Sequence, residues 1–191
     1  LSAFKEYPME IAEVASMAME LFSMDHWQAF FENEADLKRA KEHQLERTIT
    51  IFPWIAIIDQ FQHWVYEHPQ HSVEERTSEW MRILNQFSTS SIDYSGLDEF
   101  RKIGWQRQLH LFEVPFYYIE YGIAQLGAIG LWMQYKQNPN NALENYMNAL
   151  SLGGTKTLPE LYKAAGLEFN LTPAYIKTLM EFVKTEMDQL K

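Results

Sequence analysis

The chain has no cysteine. A disulfide framework and a thiolate metal site are therefore excluded, and the composition fits a reducing compartment, here read as the cytoplasm. No stretch approaches the roughly 20 apolar residues of a membrane-spanning helix. Positive charge is scarce: 16 Lys and Arg stand against 26 Asp and Glu, a net charge of −10. No basic run stands out, so neither a nucleic-acid surface nor a membrane surface is expected as partner. Familiar catalytic signatures are missing as well. Without a Gly-x-Ser-x-Gly there is no nucleophile elbow. Without a Glu-x-x-His the di-metal carboxylate bundle, which needs that motif twice, loses its support. There is no His-Glu-x-x-His. The first residue is Leu1, and no charged segment followed by an apolar one precedes the first helix, so the sequence reads as an excerpt or a processed product.

What is present is helical. Hydrophobic residues make up 47% and aromatics 15% of the 191 residues, enough to build a large core. Apolar positions recur with helical spacing almost throughout. The reading is all-α, with no strand, repeat or low-complexity linker, forming one continuous domain or the helical lobe of a larger one. Pro8 opens a helix running to Met24. A short aromatic segment follows, then one long helical stretch to about Tyr66, which Pro53 is expected to kink or divide. Ser72 and Glu75 form a capping box for the next helix. Residues 92–113 have weak periodicity and read as an irregular loop of the kind that carries function. Pro115 is expected to open another apolar helix, to about Tyr135, and three further helices complete the chain.

Two stretches could carry chemistry. "YPMEIAEVASMAMELF" (residues 7–22) is nearly all apolar, yet Glu10 and Glu13 interrupt it. A buried carboxylate is costly unless paired or metal-bound, and spacing alone leaves both readings of Glu13 open, ion pairing and metal ligation. In "HLFEVPFYYIEYG" (residues 110–122), Tyr118 and Tyr121 are three apart, as on one helix face. They are either core aromatics or two phenols that stabilise an oxyanion. Asp59 and His63, four apart, are a further possible ligand pair.

Together these segments resemble the C-terminal part of the zinc metallopeptidases that include oligoendopeptidase F, the Pz-peptidase-like enzymes and thimet oligopeptidase. "EIAEVASMAMELF" is similar to the segment that supplies that family's third zinc ligand. The resemblance makes Glu13 the ligand and Glu10 its neighbour. "HLFEVPFYYIEYGIAQLGA" is similar to the family's substrate-binding segment. It implies that His110, Tyr117, Tyr118 and Tyr121 contact the peptide, and that His110, Tyr118 and Tyr121 take part in catalysis. "LSLGGTKTLPELYKAAGLEF" (residues 150–169) is similar to the closing signature, which carries no chemistry. By the resemblance the whole chain is a C-terminal helical part of a zincin-type catalytic domain, with residues 92–113 on the substrate side. Its partners would be short peptides and the N-terminal remainder of the same enzyme, which would supply the His-Glu-x-x-His. The alternative is a non-enzymatic all-α interaction or structural domain.

Overall fold

A computed structural model describes residues 4–89 and 91–190. The α-helices are α1 (Met9–Ser23), α2 (Glu34–Glu67), α3 (Val73–Gln86), α4 (Asp98–Lys102), α5 (His110–Glu113), α6 (Ile119–Gln137), α7 (Pro139–Ser151), α8 (Leu158–Ala164) and α9 (Pro173–Asp188). Single 3₁₀ segments cover Met24–Ala29, Gly104–Arg107 and Gly153–Thr155. No strand occurs among the described residues, so the all-α reading holds. The chain divides into two compact units, one formed by Leu1–Ile49 with Glu120–Lys191 and the other by Thr50–Ile119.

The first unit is built around α6, whose residues from Gly122 to Trp132 are buried on almost every side. A helix this apolar all round can only be central. Helix α1 lies against it with Ile11, Val14, Ala18, Leu21 and Phe22 buried, the three-and-four spacing of a single inner stripe. Phe22 stacks on Tyr135 with ring centres 4.8 Å apart, and Trp132 meets Phe182 edge-on at 4.9 Å. Close approach depends on Gly127. A Cβ there would stand 2.7 Å from the Tyr162 hydroxyl and 2.9 Å from a Val14 methyl, inside van der Waals contact of both α8 and α1. The Tyr162 hydroxyl instead donates to the Ile123 carbonyl at 2.9 Å.

Gly153 and Gly154 have a related task. A Cβ on Gly153 would run into the carbonyl oxygen of Phe4, and one on Gly154 into that of Glu6. The residues leading into α1 thus pass directly over the Gly-Gly pair. Pro8 then closes the approach, its carbonyl accepting from the Ile11 and Ala12 amides at 3.0 and 3.3 Å. That fixes the start, and hence the rotation, of the helix carrying Glu10 and Glu13.

The second unit has its own core. Ile57, Ile58, Phe61, Trp80 and Ile83 are buried together, with Trp54, Trp105 and Leu111 packed against them. Trp80 sits centrally, edge-on to Phe61 at 5.1 Å and to Trp54 at 6.1 Å. Its indole N–H donates to the Arg101 carbonyl at 2.7 Å. Helix α3 starts as its capping box requires: the Glu75 amide donates to the Ser72 hydroxyl at 3.1 Å, and the Ser72 amide donates to the Glu75 carboxylate at 2.8 Å.

Three features differ from the sequence reading or refine it. Helix α2 continues through Pro53 as one assigned helix. The unit boundary falls at Ile49–Thr50, at the carbonyl whose helical donor the proline ring lacks. Residues 92–113 contain α4, a 3₁₀ turn and α5 joined by short turns. Pieces this short show no helical period in sequence, and α4 is held by Trp80 and by an Arg101–Asn85 side-chain hydrogen bond of 2.6 Å. Pro115 does not open α6. Phe116 takes a φ of 61°, the left-handed region that ends a helix, and α6 begins at Ile119.

Candidate functional site

In the first unit the chemistry-bearing side chains come from α1 and α6. Glu10 and Glu13 are half-buried on α1, and Glu120 and Tyr121 are half-buried in the first turn of α6. Removal from water, then the charges of Glu10 and Glu13, push the Glu120 carboxyl above the usual carboxylate range. One Glu120 oxygen, Oε2, is buried with no hydrogen-bond partner. Burial, and secondarily the charge of Glu10, also push the Tyr162 phenol well up. Three acidic side chains therefore share one partly desolvated region. The Ser16 hydroxyl donates to the Glu13 carbonyl at 3.0 Å, which keeps that serine on the backbone of the helix. Glu20 is exposed and accepts from the Gln44 amide at 2.9 Å.

In the second unit the focus is His110, on α5. The Trp54 indole N–H donates to Gln108 Oε1 at 3.2 Å. An indole nitrogen only donates, so it fixes which end of the Gln108 amide is oxygen. The amide nitrogen of Gln108 then faces His110 Nδ1 at 2.6 Å and must be the donor there. The His110 proton consequently resides on Nε2. The imidazole stacks on Tyr117 with ring centres 6.0 Å apart and meets Tyr118 edge-on at 5.0 Å.

The structure thus groups His110 with Tyr117 and Tyr118, and Glu10 and Glu13 with Glu120. Tyr118 sits in the turn that immediately precedes α6, and Tyr121 is in the first turn of that helix. Asp59 and His63 form a weak contact of 3.7 Å, and the His63 ring packs 5.0 Å from Phe116. Sequence reasoning missed Gln108 and Trp54, which orient the histidine, and Glu120. The hydrogen bonds of an amide two residues before a histidine leave no trace in residue spacing. Glu120 falls on the apolar helix of the first unit, where the tyrosines draw attention away from it.

The acidic side chains offer oxygen atoms of the kind that coordinate divalent cations, and Glu120 Oε2 is buried with no donor. These side chains do not make a complete site: among the described residues no group of three or more His, Cys, Asp and Glu side chains is placed to hold a metal ion. No described helix is long and apolar enough to cross a membrane.

Comparison with known proteins supports the same architecture. A solved Pz peptidase A with a bound inhibitor superposes on 97% of this chain with a TM-score of 0.87 and 28% identity, and the chain covers 33% of it. A solved oligoendopeptidase F gives 98%, 0.88 and 30%, again with 33% of that protein covered. An oligoendopeptidase F homologue of Borreliella burgdorferi is 24% identical over 97% of the chain. The model of peptidase family M3 matches residues 2–181. The chain belongs to peptidase family M3, whose members are generally metallopeptidases. It spans about a third of the length of the relatives it matches: 31% of the Borreliella burgdorferi protein and 33% of the two solved structures above.

Proposed function

We propose that this chain is the C-terminal helical part of the catalytic domain of a zinc-dependent oligoendopeptidase, which hydrolyses internal bonds of short peptides. The carrying observation is the match of peptidase family M3 to residues 2–181, and burial together with the nearby charges of Glu10 and Glu13, which raises the Glu120 carboxyl, supports an acidic region on α1 and α6. Glu13 would hold a zinc ion together with a His-Glu-x-x-His segment elsewhere in the longer protein, and Glu10 would support Glu13. The ion, when bound, would lower the pKa of a water and polarise the scissile carbonyl.

The chain's other residues handle the peptide. His110 presents a proton on Nε2, held in that tautomer by Gln108, and donates it to a substrate oxygen. Tyr121 and Tyr118 donate phenolic hydrogen bonds to the carbonyl oxygen as negative charge develops on it. Tyr117, stacked on His110, lines the substrate side together with residues 92–113. The cysteine-free composition supports a cytoplasmic setting.

The test is Glu13→Gln in the full-length protein. Zinc content measured by elemental analysis should fall from stoichiometric to a small fraction, and cleavage of a quenched fluorescent peptide should fall with it. Full zinc occupancy with unchanged kcat would remove Glu13 from the metal site, and a parent protein that neither holds zinc nor cleaves the peptide would favour the non-enzymatic alternative.

A further inference from the structure

The second unit contains a cavity of about 420 Å³ that none of Glu13, His110, Tyr117, Tyr118 and Tyr121 lines. Its volume lies in the range of small-molecule sites. Phe61, Tyr66, Trp105 and Phe112 supply aromatic walls. Trp105 is stacked with Phe112 at 5.7 Å and lies 5.5 Å from Phe61, so these rings hold one another in place and leave the space between elements open.

One polar group in this apolar setting lacks a partner, and a second carries a charge that no ion pair neutralises among the described residues. Gln62 is only 3% exposed, lines the cavity, and its Nε2 has no hydrogen-bond partner. Native proteins rarely leave a buried amide unpaired. Rotation about the last side-chain bond lets that amide present its N–H groups to the cavity. Arg76 also lines it. Its guanidinium lies over the Trp105 ring at 5.2 Å and donates to His71 Nε2 at 3.2 Å. His71 Nδ1 donates to the His68 carbonyl at 2.6 Å, so the imidazole accepts from Arg76 as the neutral tautomer and contributes no compensating charge. Among the described residues no carboxylate forms an ion pair with Arg76.

We infer that this cavity binds a small aromatic carboxylate, its ring between the aromatic walls and its carboxylate on Arg76 and the Gln62 amide. The same chemistry is offered by a free aromatic acid and by a peptide ending in an aromatic residue, and the experiment separates them. Binding of indole-3-acetate, and of an acetylated tripeptide ending in phenylalanine, is measured on the full-length protein by saturation-transfer NMR and calorimetry, with no peptidase substrate present. At least one probe should bind saturably. The tighter one identifies the source. Its neutral amide analogue should bind about tenfold more weakly, as should the acid to Arg76→Met or Gln62→Leu, each corresponding to one lost charge-assisted hydrogen bond. Gln62→Leu removes an unpaired buried amide while keeping volume, so it should fold at least as stably as the parent. Absence of saturable binding at millimolar concentrations, or affinities that neither variant changes, overturns the assignment. Arg76 and Gln62 take no part in the proposed peptidase chemistry, so the effect of their variants on binding separates this site from the peptidase reading.

Discussion

At the scale of single residues, the best-defined device is the Trp54–Gln108–His110 relay. Each link has only one donor sense, so the imidazole tautomer follows from the indole two links away. Gln108→Leu removes the link without changing size much. In ¹⁵N NMR of the full-length protein, the neutral wild-type His110 should show a pure Nε2–H form, and the variant should show a mixture of tautomers. kcat/KM should drop about tenfold, the scale of one misplaced proton donor. Tyr121→Phe removes a phenolic donor and nothing else. If it stabilises developing charge, kcat should fall about a hundredfold with KM little altered, and an unchanged kcat in a folded variant would remove it from the mechanism. Glu13, His110 and the tyrosines could be singled out from sequence because their type and order match a family pattern. Gln108 and Glu120 could not, because what distinguishes them is their surroundings: one hydrogen bond to an imidazole, and the charges of two carboxylates on another helix.

At the scale of elements, the capping box on α3 gives a clean test. Ser72→Ala should lower stability by about 1 kcal/mol in urea unfolding followed by tryptophan fluorescence. The Ser72 amide, then its hydroxyl, holds the Glu75 carboxyl below its ordinary range. A carboxyl lowered in the folded state stabilises the fold above its unfolded pKa and ceases to do so as pH falls through the folded one. The stability difference between wild type and Glu75→Gln should therefore be present at neutral pH and shrink below pH about 4. This box was readable from the sequence, since Ser-x-x-Glu before an apolar period has one local meaning. The prolines were harder. Pro53 and Pro115 carry the same local bias, yet one is absorbed within α2 and the other stands before a turn. The long apolar run of Ile49–Tyr66 outweighs the hydrogen bond Pro53 removes. Around Pro115 the positive φ of Phe116 stops any helix from continuing.

At the scale of the whole molecule, a chain spanning a third of its relatives cannot be expected to hold a metal by itself. Titration of zinc into the isolated 191-residue chain should show binding weaker than micromolar, because one carboxylate plus its neighbours is not a closed site; micromolar or tighter binding would show that the chain owns a complete site. The helical class and the overall order of elements were legible, since periods over long helices carry much redundant information. The partition into two units was not, because one uninterrupted helix contributes to both and only long-range packing divides it.

The Gly153–Gly154 pair has a reach beyond its own turn. Two bare α-carbons act as the rail over which residues 4–6 are laid, and α1 sets off from there. An alanine at position 154 should cost about 1–3 kcal/mol as an overpacked contact. It should also turn or lift the rod that carries Glu13, so that affinity for the ion becomes adjustable from a position that never approaches it.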